Sequence, residues 1–339
     1  MAQINKPNLH FNTKLYTGNG GTQAVTGVGF QPDWVWIKNR GVAESHVLFD
    51  VLRGVQKALN SDSSSAEATS SNYLTAFGTD GFTVGASGLV NDNSNTYASW
   101  NWKAGGSGSS NSDGSLSATL SANATAGFSV STFTTPGSGT FTVGHGLGVA
   151  PKMVMYRPTG SSSWQVGHDS LGWTNFLALN NTGASASNTA FGNTAPTTSV
   201  WTGNTANVGT NAPCVAYCFS EIKGYSKFGK SIGNGDTNGP YVYTGFKPAF
   251  VLAKNSSISD WWSMFDNKRL GFNSSDSPRL LFPNANSSES NSKMLDLTSN
   301  GFKIRSSNTG INGNGNTTIY MAFAENPIVG TNNIPATAG

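Results

Sequence analysis

One frame occurs three times along the 339-residue chain. It reads GFQPDWVWIKNR from Gly29, GVAPKMVMYRPT from Gly148 and GFKPAFVLAKNS from Gly245. Aligned on Pro32, Pro151 and Pro248, each copy has glycine three residues earlier and bulky apolar groups two and four residues later. These are Trp34 and Trp36, Met153 and Met155, Phe250 and Leu252. A cation closes each run (Lys38, Arg157, Lys254), and an aspartate follows eighteen residues after the proline (Asp50, Asp169, Asp266). A fixed internal period of this kind decides the architecture before any single element does, because one supersecondary unit is being used repeatedly.

Alternating apolar positions over four to eight residues predict strands. Each frame leads into a second such run, SHVLFD, SWQVGHD or DWWSMFD, then into KALNSDSS, FLALNNTG or RLLFPNAN. DGFTVG and SNGFKIRS form a turn and strand in units one and three, with SVWTG as a weaker counterpart in unit two. The closing runs YASWNWK, VAYCFSE and IYMAFAE place Trp100 with Trp102, Tyr217 with Phe219, and Met321 with Phe323 on one face. Ahead of each frame an aromatic precedes a glycine-rich turn, with Gly20, Gly139 and Gly235 positioned for the positive φ of a tight hairpin. DVLRGVQKALN has helix-like spacing, but Gly54 weakens it and a loop or single turn is expected.

The expected fold is all-β: three tandem antiparallel β-sandwich repeats, jelly-roll or lectin-like, of about 90–100 residues each. The boundaries are an N-terminal arm (1–13), repeat one (14–103), a flexible Gly/Ser-rich linker (104–120), repeat two (121–222), repeat three (223–326) and a tail (327–339). Repeats two and three are expected to pack as a pair.

Composition narrows the function. Only 11% of residues are charged and the net charge is +3, which argues against a nucleic-acid groove. No apolar run is long enough to span a bilayer, so no membrane insertion is expected, and the N-terminus has no secretory apolar segment. Cys214 and Cys218, four residues apart in one strand, are too far apart for a disulfide and are expected to be buried thiols. His10, His46, His145 and His168 have no zinc spacing, and neither a metal nor a cofactor is expected.

The paired apolar positions are expected in the core. The three aspartates are expected to be structural, paired with the cations Lys38, Arg157 and Lys254 on neighbouring strands. Trp164, Trp173, Trp201, Trp261 and Trp262 lie at strand ends or in loops beside amides and are the candidates for stacking on sugar rings.

GFQPDWVWIKNR with LFD and YASWNWKAGG, GYSKFGKSIGNGDTNGPYVYTGFKPAFVLAKN, and IYMAFAENPIVGTNNIPATAG resemble a repeated domain of structural proteins of marine tailed bacteriophages. Unit two departs from that pattern at VAPKMVMYR. The resemblance implies a virion component on the particle surface that works by assembly with other virion proteins and copies of itself, without catalysis. A tail fibre or tail appendage presenting loops to a host cell-surface glycan is the leading expectation. A capsid decoration or head-fibre protein is the alternative, and a glycan-degrading enzyme the third.

Overall fold

The computed structural model describes residues 4–269 and 279–328. They form antiparallel sheets, with helical segments of only three or four residues among the described residues. The tail from 329 onward lies outside the described residues.

One strand order recurs in three large sheets. In the first, strands run Phe11–Thr17, Thr96–Trp102, Trp34–Asn39, Val47–Asp50, Lys57–Asn60, Ala68–Thr69. In the second, the corresponding core is Phe128–Thr134, Pro213–Phe219, Met153–Pro158, Gln165–His168, Asn175–Ala178, Ala186–Ser187. In the third it is Ser226–Ile232, Thr317–Pro327, Phe246–Asn255, Trp262–Asp266, continued by a bridge from Met264 to Leu281. Proline cannot donate to a sheet ladder. Pro32 and Pro151 therefore stand just ahead of their strands, whereas Pro248 lies inside a longer one at a register shift.

Each large sheet carries a small one on its outer side: Gln23–Thr26 with Gly81–Val84 and Leu74–Gly78, Thr140–Gly144 with Val200–Asn204, and Tyr241–Tyr243 with Gly301–Ile304 and Leu295–Thr298. Gly20, Gly139 and Gly235 adopt positive φ as expected. Their turns, however, do not close hairpins. They carry the chain from the large sheet into the small one, and Asn91 and Asn312 accept the amides of Gly20 and Gly235 through their carbonyls, at 2.9 Å each.

Side-chain alternation sends successive residues to opposite faces. Val35 and Ile37 point outward into a core shared with the first small sheet, as do Val154 and Tyr156, and Val251 and Ala253, in the other two groups. Trp34, Trp36, Met153, Met155, Phe250 and Leu252 point the other way, into one cluster common to all three groups. Here the structure corrects the expectation of tandem packing. These side chains do not fill three separate sandwiches; they meet at the centre. Trp34 stacks on Tyr217 at 4.5 Å, Trp102 meets Phe250 edge-on at 5.7 Å, and Phe219 meets Phe323 at 6.2 Å, so every pair of groups is in contact.

The segment expected as a flexible linker is built into the second sheet. Ser109–Asn111 pairs with Ala118–Asn123, which pairs with Phe128–Thr134. Serine and glycine do not prevent strand formation when a free sheet edge supplies hydrogen bonds.

Because one core serves all three groups, residues 121–222 expressed alone would expose Val130, Met155, Tyr217 and Phe219. We expect that fragment to lack a cooperative thermal transition in calorimetry, while the full chain shows a single one; a cooperative fragment would contradict the shared core.

Candidate functional site

The polar residues of the recurring frames gather at the seams where two groups meet. Asp50 ends its strand fully buried. Its Oδ1 accepts the amides of Leu52 (3.1 Å) and Arg53 (2.8 Å), closing the turn, and its Oδ2 pairs with Arg53 Nε at 2.6 Å. Arg53 also reaches Glu67 at 2.9 Å. The third group repeats this: Asp266 accepts the amides of Lys268 and Arg269 at 3.0 and 2.9 Å, pairs with Arg269 Nε at 2.5 Å, and Arg269 reaches Glu289 at 3.1 Å. The expectation that the aspartates pair with the strand-closing cations is therefore wrong. The partner is an arginine three residues on, legible in sequence as DVLR and DNKR.

The second group breaks the pattern. Trp34 lies opposite Asp50 and Phe250 opposite Asp266, but Met153 lies opposite His168. Asp169 falls one residue past its strand and makes an exposed pair with Lys152 at 2.9 Å. Equal spacing from the proline thus conceals a change of register, and His168 occupies the aspartate position.

Each of these positions reaches the next group. Tyr217 of the second group donates its hydroxyl to Asp50 Oδ2 at 2.9 Å. His168 lies 3.1 Å from the Tyr320 carbonyl of the third group. Trp100 of the first group donates Nε1 to Asp266 Oδ2 at 2.9 Å. The contacts run from first to second, second to third and third to first.

The cations serve the same seams differently. Lys38 and Lys254 cap carbonyls of their own following loops, those of Asn39 and Val42 and of Asn255 and Ile258. Burial pushes both down to about 8, offset in part by acidic neighbours. Arg157 crosses to the first group, donating to the carbonyls of Ser63 (3.1 Å) and Ser65 (2.7 Å). Backbone bonds reinforce each seam: Glu67 N to Thr159 O at 2.7 Å, Ser185 N to Ser256 O at 2.8 Å, and Glu289 N to Arg40 O at 2.9 Å.

Glu289 is the most heavily paired carboxylate among the described residues. Arg40 binds it with two bonds of 2.9 Å, and Arg269 and Arg279 lie at 3.1 and 3.2 Å. Burial raises the proton affinity of Glu289, but the Arg40 hydrogen bonds and the neighbouring guanidinium charges outweigh it and hold the carboxyl below its usual range. For Arg53, burial works against the charge, and Asp50, Tyr217 and Glu67 together more than restore it. His168 is fully buried, which pushes it down to about 4. Its Nδ1 accepts the Ser170 amide at 3.1 Å, so a neutral ring carries its proton on Nε2 and donates it to Tyr320.

The tryptophan candidates divide sharply. Trp164 and Trp262 are buried seam residues that donate to the carbonyls of Asn60 (2.8 Å) and Ala178 (3.0 Å) in a neighbouring group. Trp173 and Trp201 fill the second sandwich core. None of these four rings is open to stack on a ligand, because Trp164 and Trp262 are buried at seams and Trp173 and Trp201 inside the second sandwich. Trp261 alone of the five is exposed, at 43%, with its ring 5.6 Å from Phe282. Cys214 and Cys218 are buried free thiols as expected, and burial pushes the first up to about 12. Among the described residues no cluster of three or more His, Cys, Asp or Glu side chains could hold a metal ion.

Sheets stacked in pairs and joined through buried seams define an all-β protein of antiparallel, sandwich-like architecture. The chain belongs to the family described as a domain of unknown function, DUF7483, whose model matches residues 6–327. That single match runs through all three groups of strands. Neither the curated proteins nor the solved structures give a match.

The three aspartates should separate cleanly in denaturant unfolding. Asp50→Ala and Asp266→Ala each leave a buried arginine short of its partner and should cost about 3–5 kcal/mol. Asp169→Ala loses an exposed pair and should cost less than about 1 kcal/mol.

A second expectation concerns acid. His168 has a folded value below its unfolded one, so its contribution is fully present above about pH 6.5 and lost as pH falls toward about 4. Stability measured across that window should fall, and His168→Gln should flatten the slope. An unchanged slope would remove this histidine as a source of acid sensitivity.

Proposed function

We propose that the protein is a non-catalytic structural component of a bacteriophage virion, part of a tail fibre or tail appendage, displaying its outer loops to the host surface. The observation that carries this is where the polar side chains go. The buried Asp–Arg–Glu clusters each sit within one group and take a donor from another, Tyr217 on Asp50, Trp100 on Asp266 and Arg40 on Glu289, while the seam tryptophans and His168 also bond across groups. Chemistry spent in this way favours a durable building block over a reaction centre. The sequence resemblance to structural proteins of marine tailed phages supports the same reading.

The three groups are best understood as repeats of one ancestral sandwich closed into a ring. Recurring strand order and cyclic seam contacts support this. Such a block has approximate threefold character within one chain, which also suits a decoration protein seated on a threefold position of a capsid.

Quantitative mass spectrometry of purified particles of the encoding phage tests both locations. A tail position predicts copies in small multiples of three or six per particle, and a capsid position predicts hundreds; absence from particles would refute the virion role. Trp261→Ala should weaken adsorption to host cells while particles still assemble, if that exposed ring contributes to surface binding.

A further inference from the structure

The third group presents an aromatic that the matching positions of the other two do not have. Two residues before the frame glycine, the first and second groups carry Gly27 and Gly146, whereas the third carries Tyr243. It ends the edge strand Tyr241–Tyr243 of the small sheet and is 61% exposed, the most exposed large apolar side chain among the described residues. Its neighbour Tyr241 is tied to Thr298 and Asn300, while the Tyr243 hydroxyl bonds to nothing among the described residues. Gly245 has positive φ and no side chain, and a Cβ placed there would be in van der Waals contact with the Tyr243 ring at 3.8 Å, so the bare glycine leaves that side of the ring uncovered.

Tyr243 forms one wall of an open cleft of about 440 Å³, within the range of small-molecule sites. Glu221, Lys223, Lys227 and Thr244 also line it. Glu221 is held on both oxygens, by Lys227 Nζ at 2.8 Å and by the Phe228 amide at 3.3 Å. Each carboxylate oxygen retains acceptor capacity for a further donor. Lys223 is exposed and pairs with no acid among the described residues. The cleft thus combines an aromatic face, a fixed acceptor and a free ammonium.

We propose that this cleft binds a sugar bearing a carboxylate, such as a hexuronate unit of a surface polysaccharide. The C–H face of the pyranose lies on Tyr243, its hydroxyls donate to Glu221, and its carboxylate faces Lys223. A neutral sugar would satisfy the first two contacts and leave the ammonium unused; a bare anion would use only the ammonium. The proposal gives a ligand class to the surface-binding half of the virion reading, and its test does not depend on where in a particle the protein resides.

Saturation-transfer NMR and calorimetric titration of the full chain with glucuronate, glucose and inorganic phosphate distinguish these cases. Saturable glucuronate binding is expected, weakened about tenfold or more by Tyr243→Ala. Lys223→Gln should weaken glucuronate about tenfold, roughly 1.4 kcal/mol, and leave glucose unchanged. Both substitutions fall on exposed side chains, so unaltered thermal unfolding should confirm intact folding. Absence of glucuronate binding, binding indifferent to both substitutions, or phosphate binding as tightly as glucuronate would each overturn the proposal. Particle incorporation that persists in Tyr243→Ala would leave the structural role standing whatever the sugar result.

Discussion

Every large sheet in this protein has two apolar faces and only one small sheet to cover them. Burial of a large apolar side chain stabilises by roughly 1.5–3 kcal/mol, and leaving a face of tryptophans and phenylalanines in water forfeits that gain many times over. The remaining face must therefore find other apolar surface, and in this chain it finds the equivalent faces of the other two groups. The central cluster, shared by all three groups, follows from that need.

A core built this way needs polar fastening at its margins, because apolar contact alone is non-directional. The seams provide direction. Breaking a buried ion pair from one side leaves an uncompensated charge, so the Asp–Arg–Glu clusters tolerate few alternative alignments of their strands. The seam between the second and third groups achieves the same with neutral groups, His168 of the second and Trp262 of the third. Two chemical solutions at matching positions indicate that the constraint lies in geometry rather than in charge.

Much of the architecture is legible in the sequence because strand alternation is a local signal. The frames around Pro32, Pro151 and Pro248, the closing runs and the buried character of Trp34 and Trp36 all depend on spacing along one segment. The direction in which those side chains pack does not. Trp36 and Ile37 are both buried, one toward the molecular centre and the other under the small sheet, and alternation cannot say which face meets which layer. The same limit explains the tryptophans: Trp164 and Trp262 stand in polar surroundings whose amides belong to a seam formed by distant residues. Asp169 shows a different failure, since equal spacing was preserved while the register slipped by one residue. DVLR and DNKR did announce the arginine partners, as a second-order repeat inside the first.

The seam between the third and first groups brings together residues far apart in sequence, yet it is fastened like the others, through Arg40 and Glu289, and the rings of Phe11 and Phe323 stack across it at 5.2 Å. Each group is therefore clasped by both of its neighbours, and none of the three can lean away without opening two seams at once.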